Sequence, residues 1–168
     1  MDSSSVLALL LIAASYCDLR YRRVPNGLIV AGLAMAFATR WISTTPDAMT
    51  EALTGAAAAI ACSLPLYIAG GLGAGDVKLL LVVGALLGWP MVFQAMLISL
   101  WTGGLFGLGV LCWRRGLRSY LNRYLRMGGL ILTARFHYIP PGPTDPAAQK
   151  LPFVPFIAVG VGLTLYFR

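Results

Sequence analysis

Long apolar runs, separated by short polar turns, constrain this chain more than any other feature of its sequence. The chain is 58% hydrophobic and only 11% charged, whereas soluble domains carry about 25% charged residues. Because so few charged side chains could cover a soluble surface, the composition predicts an integral membrane protein. No polar stretch is long enough to form a second domain, so we expect one membrane domain over residues 1–168.

The apolar runs predict an all-α fold with about six transmembrane helices. The expected spans cover residues 3–17, about 27–42, 48–70, 77–89, 91–112 and 151–167. The span 77–89 is short, so we expect it to be tilted or sheltered by its neighbours. A secretory signal peptide is the rival interpretation of residues 3–17, but the basic residues follow that apolar core instead of preceding it.

Basic residues are concentrated in loops that six spans place on one side of the membrane. The most basic regions are residues 20–23, Lys78 and residues 114–135. With six spans, all three fall on the cytoplasmic side, as the positive-inside rule requires, and both termini lie outside. Topology therefore explains the formal net charge of +7, and no nucleic-acid partner is expected.

Residues 113–137 differ from the predicted spans. Leucines and aromatic residues recur there at helical spacing, while the arginines of the same segment lie mostly at the other helical positions. This pattern predicts a basic amphipathic helix on the cytoplasmic membrane surface. His137 lies in or beside this segment, and we expect a surface residue there and not a catalytic base.

Two of the six acidic residues lie where apolar spans end on the basic side. Asp18 follows the first span and Asp76 precedes the fourth, whereas the other four acids have solvated positions. An ionisable group near hydrocarbon is costly, so it is a functional candidate. If the two carboxyls meet, one stays protonated while the other takes a proton from a water. Aspartic proteases activate a water for attack on a peptide carbonyl in this way.

Other interpretations of Asp18 and Asp76 stay open at this point. Both residues can be ordinary helix-end aspartates, or they can belong to a proton or ion pathway. A small proton-coupled transporter would use the same carboxylates, although no internal inverted repeat favours it. A non-catalytic membrane assembly subunit would need neither carboxylate.

The three cysteines include no CxxC pair, so a zinc cluster is not expected. We expect no metal and no other cofactor.

A glycine-rich turn joins the third and fourth spans and ends at Asp76. We expect Gly71, Gly73 and Gly75 to permit backbone conformations that other residues avoid, and to let a substrate backbone approach the acid. The turn is neither a Rossmann fingerprint nor a P-loop. Lys78 is expected to snorkel to the interface, with stabilisation of an ionised aspartate as the alternative.

The loop between the first two spans contains Pro25, which prevents a continuous helix through it. Asn26 follows directly. We expect its side chain to cap the second span by accepting hydrogen bonds from free backbone amides.

Three short motifs occur along the chain: DLRYRRVPN at 18–26, GAGDVK at 73–78 and LPFVPFIAVG at 151–160. In this order they resemble the type IV prepilin peptidases, the GxGD class of membrane aspartic proteases. The motifs span nearly the whole chain. Val24 is a mild departure, since it stands where the family often has isoleucine or leucine.

The resemblance implies that the chain removes leader peptides from prepilins or pseudopilins at the cytoplasmic face of a bacterial inner membrane. It implies that Asp18 and Asp76 are the catalytic pair and that membrane lipid surrounds the protein. The supporting motif residues are Gly73, Gly75, Lys78, Pro25 and Asn26.

Larger family members also methylate the new amino terminus, using a cytoplasmic region with paired cysteines. This chain resembles the short, peptidase-only branch associated with tight-adherence (Flp) pili, so no methyltransferase activity is expected. Leaders in the family are commonly basic, and the cytoplasmic surface predicted here is basic too. Charge attraction therefore does not explain recognition, and we expect the apolar helix of the substrate to pack beside the glycine-rich spans.

Overall fold

The computed structural model describes residues 3–43, 45–113 and 152–167. These residues form six α-helices and no β-strand, which confirms the all-α prediction for this part of the chain. Each helix overlaps one predicted span, whereas the predicted amphipathic helix and His137 lie outside the described residues. The helices are α1 (Ser3–Tyr21), α2 (Asn26–Ile42), α3 (Ala48–Ile68), α4 (Ala74–Leu87), α5 (Met91–Trp113) and α6 (Val154–Tyr166).

The described residues separate into two compact units. The first contains α1 to α4, α5 as far as Thr102, and α6. The second begins at Gly103, and the structure describes only its part of α5, up to Trp113. A single membrane domain over residues 1–168 stays a prediction.

Among the described residues, two helices are long and apolar enough to cross a membrane. They are Ala48–Ile68, with a mean hydropathy of 1.4, and Met91–Val110, with a mean hydropathy of 1.6. Only 22% of the 18-residue apolar stretch in each helix is buried within the described structure. A core helix of a soluble protein would be mostly buried. Exposed apolar side chains elsewhere, such as Ile12 and Val30, fit the same lipid-facing interpretation. Membrane crossing by all six helices stays a prediction.

Helix α4 lies at the centre of the first unit. It packs against α1, α2 and α3, and nearly every residue from Leu79 to Leu87 is buried. Its 14 residues reach about 21 Å at 1.5 Å per residue, which is less than the ~30 Å hydrocarbon core of a bilayer. Neighbouring helices therefore shelter α4, as its short apolar run predicted.

Glycines allow three of these helices to approach their neighbours closely. A Cβ added to Gly55 of α3 would collide with the backbone oxygen of Gly84 in α4, and the reverse holds for Gly84. A Cβ on Gly160 of α6 would collide with Ser99 Oγ of α5. Small residues allow such backbone contact between helices in lipid.

The glycines of α5 behave differently. A Cβ added to Gly104 or Gly109 would meet no described atom within 4 Å. Within residues 3–43, 45–113 and 152–167, no neighbouring helix therefore lies close to these two glycines.

Arg40 connects three helices at the C-terminal end of α4. Its Nη2 donates to the backbone oxygen of Leu86 at 2.9 Å, and its Nη1 lies 3.0 Å from Glu51 Oε2. A cation at the C-terminus of a helix pairs with free carbonyls and with the negative end of the helix dipole. This contact anchors the end of α4 that lies away from Asp76.

Candidate active site

Asp18 lies on α1, one turn before the helix ends at Tyr21, and its side chain is only 7% exposed. Its Oδ2 accepts a hydrogen bond of 3.1 Å from the backbone N–H of Val154, the first residue of α6. Pro155 follows Val154, and the fixed φ of proline favours the first turn of a helix. The start of α6 therefore supplies a buried donor to the Asp18 carboxylate.

The turn after α1 directs the chain towards α4. Arg22 has a φ of 51°, a left-handed conformation that is uncommon outside glycine, and its N–H donates to the Asp18 carbonyl at 2.8 Å. Val24 then lies against the glycine-rich turn, because its Cβ is 3.7 Å from the position of a Cβ added to Gly75. The motif at 18–26 thus packs directly on the motif at 73–78.

Asp76 is the third residue of α4 and is half-buried. Its Oδ2 accepts a hydrogen bond of 3.0 Å from the backbone N–H of Gly73, the residue that caps the helix. Such a contact satisfies one of the free amides at a helix start, and the helix dipole favours a negative charge there. Asp76 therefore has a structural role at the start of α4 alongside any chemical role.

The glycine-rich turn does not use the conformations predicted for it. Gly70 has a φ of 76°, while Gly71, Gly73 and Gly75 do not have positive φ angles. The prediction of unusual conformations at these three residues was wrong, because the left-handed position falls earlier, just after α3 ends. That the glycines let a substrate backbone approach Asp76 stays a prediction. Gly73 matters sterically instead, since a Cβ there would stand 3.0 Å from Asp76 Oδ2 and crowd the hydrogen bond.

Lys78 and Asn26 join the starts of α4 and α2. Lys78 Nζ donates to Asn26 Oδ1 at 3.1 Å on the surface. The prediction that Asn26 caps α2 was wrong, because Pro25 occupies the cap position and α2 has no side-chain capping bond. The two predictions for Lys78 were snorkelling to the interface and stabilisation of an ionised aspartate. Neither prediction included this contact with Asn26.

Both carboxyls hold protons more strongly than ordinary aspartates do, and both lie outside the predicted spans 3–17 and 77–89. Burial raises the pKa of Asp18 above 3.8, although the Val154 N–H and the Arg22 charge oppose the rise. Burial raises the pKa of Asp76 to about 6; the Gly73 N–H opposes this, and the Asp18 charge adds to it. The two carboxyls therefore share one electrostatic environment.

Metal-ligand clusters are absent from the part of the chain that the structure describes. There, no group of three or more His, Cys, Asp or Glu side chains could hold a metal ion. Cys17, Cys62 and Cys112 carry free thiols.

A sequence model of the type IV leader peptidase family matches residues 5–108. The matched range contains both aspartates and the motifs at 18–26 and 73–78. This chain belongs to the type IV leader peptidase family. The resemblance based on the three motifs is thereby confirmed.

Among proteins similar to this leader peptidase family member is the "Prepilin leader peptidase/N-methyltransferase" of Bacillus subtilis (strain 168). It is 30% identical over 158 residues, which cover 90% of this chain and 50% of the relative. The chain therefore spans about half the length of the curated relative that it matches. No solved structure matches the chain significantly.

In this leader peptidase family member, the fold brings the motif residues of distant segments together. Val24 meets Gly75, and Asn26 meets Lys78, at the same end of the helices as the two aspartates. Reasoning from the sequence missed Val154 as a partner of Asp18. The prolines in the motif at 151–160 were the available signal, since they mark a helix start.

Proposed function

We propose that this chain is a membrane aspartic endopeptidase that removes the leader peptides of prepilins or pseudopilins. One observation carries the proposal: Asp18 of α1 and Asp76 of α4 interact electrostatically, and both have raised pKa values. Such a pair can hold one proton while its other member is ionised. Family membership and the name of the B. subtilis relative support the same reaction.

In the proposed mechanism, Asp18 is the ionised partner, because the Val154 N–H and the Arg22 charge both stabilise its negative form. Asp76 is the protonated partner. Asp18 takes a proton from a water, whose oxygen bonds to the scissile carbonyl carbon while Asp76 gives its proton to the carbonyl oxygen. The C–N bond then breaks, and its nitrogen takes the proton held by Asp18. The carbonyl oxygen returns its proton to Asp76, which restores the starting state.

We also place the reaction at the cytoplasmic face of a bacterial inner membrane, with several helices crossing the lipid. Arg20, Arg22 and Arg23 follow Asp18, and the Lys78–Asn26 contact lies at the same end of the helices. Loops rich in arginine and lysine stay on the cytoplasmic side. The shared position of the basic residues and the aspartates supports this orientation.

Cleavage without methylation is the expected outcome for these 168 residues. The relative's name includes an N-methyltransferase, and this chain matches half of that protein. The three cysteines are far apart and include no CxxC pair, which supports the short, peptidase-only branch associated with tight-adherence (Flp) pili. Mass spectrometry of the cleaved pilin would show an unmethylated amino terminus.

The decisive experiment is leader cleavage of a co-expressed, epitope-tagged prepilin, followed as a gel shift. Asp18→Asn and Asp76→Asn should each abolish cleavage without preventing membrane insertion. Asp47→Asn is the matched control, because Asp47 is an exposed acid at the start of α3, and it should cleave normally. Residual cleavage by either site variant would refute the two-aspartate mechanism.

A further inference from the structure

An apolar groove runs between α1 and α6, beside the candidate active site. Its volume is about 490 Å³, and Leu7, Leu11, Ile12 and Leu19 of α1 line it opposite Val161 and Leu165 of α6. Ser15 also lines the groove. All of these residues belong to the first compact unit.

The groove follows the face of α1 that carries Asp18. Leu7, Leu11, Ser15 and Asp18 follow one another at spacings of four, four and three residues, so they share one face of α1. The two helices that bound the groove meet at the Val154–Asp18 hydrogen bond. From Leu7 to Leu19 the groove follows α1 for about 18 Å at 1.5 Å per residue. A molecule lying in it would therefore have one end near Asp18.

Ser15 indicates what kind of molecule fits. Its Oγ is buried and has no hydrogen-bond partner among the described residues, and leaving such a group unpaired is costly. A lipid acyl chain offers no hydrogen-bonding group to this hydroxyl. A polar side chain on a polypeptide helix can pair with it once the Ser15 side chain turns towards the groove.

Gly162 indicates that the space is shaped for close approach by a helix. Gly160 is needed for packing against Ser99, but a Cβ added to Gly162 would meet nothing within 4 Å. Gly162 lines the groove together with Ala8 and Ala158. Small residues on such a surface let a second helix backbone come close in lipid.

We propose that the groove between α1 and α6 binds the apolar helix of the substrate, with its scissile bond placed at Asp18 and Asp76. The inference rests on the proposed peptidase function and names the surface that recognises the substrate. It differs from the expectation that the substrate packs beside the glycine-rich spans. Of these, the third span has its Gly55 already in contact with Gly84 of α4, and the Gly104 variant described below tests the fifth.

The first test fills the groove. Gly162→Leu places a side chain in the open space, and it should lower prepilin cleavage by at least about tenfold, the effect of roughly 1.4 kcal/mol of lost binding. Gly104→Leu makes the same change where an added Cβ also meets no described atom, and it should cleave like wild type. Melting temperatures in detergent should be the same for both variants, which separates blocked binding from misfolding.

The second test detects the occupant directly, in an Asp76→Asn background that retains uncleaved prepilin. A photoreactive p-benzoylphenylalanine replaces Ile12, which lines the groove and is 68% exposed. The control probe replaces Val30 of α2, which is 65% exposed and does not line the groove. A prepilin adduct should form from position 12 and not from position 30.

The possible outcomes distinguish failure of the groove proposal from failure of the proposed peptidase function. If wild type cleaves the prepilin but position 12 yields only lipid adducts or adducts with a second copy of this chain, the groove proposal is overturned and the peptidase stands. If position 12 captures prepilin but wild type never cleaves it, the docking surface stands and the peptidase does not. If wild type does not cleave the prepilin and position 12 does not capture it, both proposals are overturned.

Discussion

The backbone N–H of Val154 donates a buried hydrogen bond of 3.1 Å to the carboxylate of Asp18. The bond joins the start of α6 to the end of α1, and the two residues are 136 positions apart along the chain. A backbone donor stabilises the ionised form of a carboxylate, so this contact favours Asp18 as the partner that accepts a proton from water.

Val154→Pro removes this donor, since proline has no N–H and is tolerated at the first position of a helix. We expect the acid limb of the pH–rate profile for prepilin cleavage to move to higher pH, because the pKa of Asp18 loses an influence that lowers it. Val154→Ala keeps the N–H and should leave the limb in place.

Folding of the proline variant needs its own control, because Phe153 has helical φ and ψ angles that a following proline disfavours. Circular dichroism and size-exclusion chromatography in detergent check it. Identical pH profiles for the folded proline and alanine variants would contradict the role of the Val154 amide.

Cleavage by the purified protein should decline as pH rises through about 6, the pKa of Asp76. Above this value Asp76 loses the proton that the carbonyl oxygen requires, and the competent fraction falls about tenfold for each further pH unit. Protonation of Asp18 produces the decline on the acid side. Initial rates of prepilin cleavage between pH 4 and pH 9 measure the profile, and a flat profile across pH 6 contradicts it.

Asp76 should also make the protein less stable as pH rises. Its pKa is 3.8 ordinarily and about 6 in the folded protein, so between these values the folded state holds a proton that the unfolded chain has released. By linkage, the free energy of unfolding falls as pH rises across this window, and the deficit persists above it. Asp76→Asn should therefore melt at a higher temperature than wild type at pH 8, with a smaller difference at pH 4. Equal differences at both pH values would count against a raised pKa.

The Lys78–Asn26 contact should position the site without taking part in the chemistry. Lys78→Met and Asn26→Ala should each reduce kcat/KM for prepilin cleavage by an amount equivalent to about 0.5–1.5 kcal/mol, the usual net value of one hydrogen bond. The double variant should lose no more than either single variant, because both changes break the same bond. Additive losses in this double-mutant cycle would show that the two side chains act separately.

The contact between Gly55 and Gly84 should tolerate no methyl group. Gly84→Ala would drive a Cβ into the Gly55 backbone, and we expect it to lower the free energy of unfolding by about 1–3 kcal/mol, as overpacking does. Gly104→Ala has no described atom in its way and should not destabilise the protein. Unfolding in detergent compares the two variants, and equal stabilities would mean that α3 and α4 can move apart at little cost.

The positions of the helices followed from the sequence because they depend on local pattern. Apolar runs bounded by glycine, proline and charged residues located all six described helices to within a few residues, including the short α4. Finer backbone features were less predictable. The left-handed residue near the glycine-rich turn proved to be Gly70, because the closure of α3 decides which residue must adopt that conformation.

The sequence by itself determined the helical framework, the family and the two aspartates at the ends of apolar segments. These properties depend on residues that are close together in the sequence, in hydrophobic runs and short motifs. Only the tertiary structure decided that Val154 binds Asp18, that Lys78 binds Asn26 and that a groove between α1 and α6 follows the face of α1 that carries Asp18. Each of these features joins residues that are far apart along the chain, so helix packing, and not local pattern, brings those residues together.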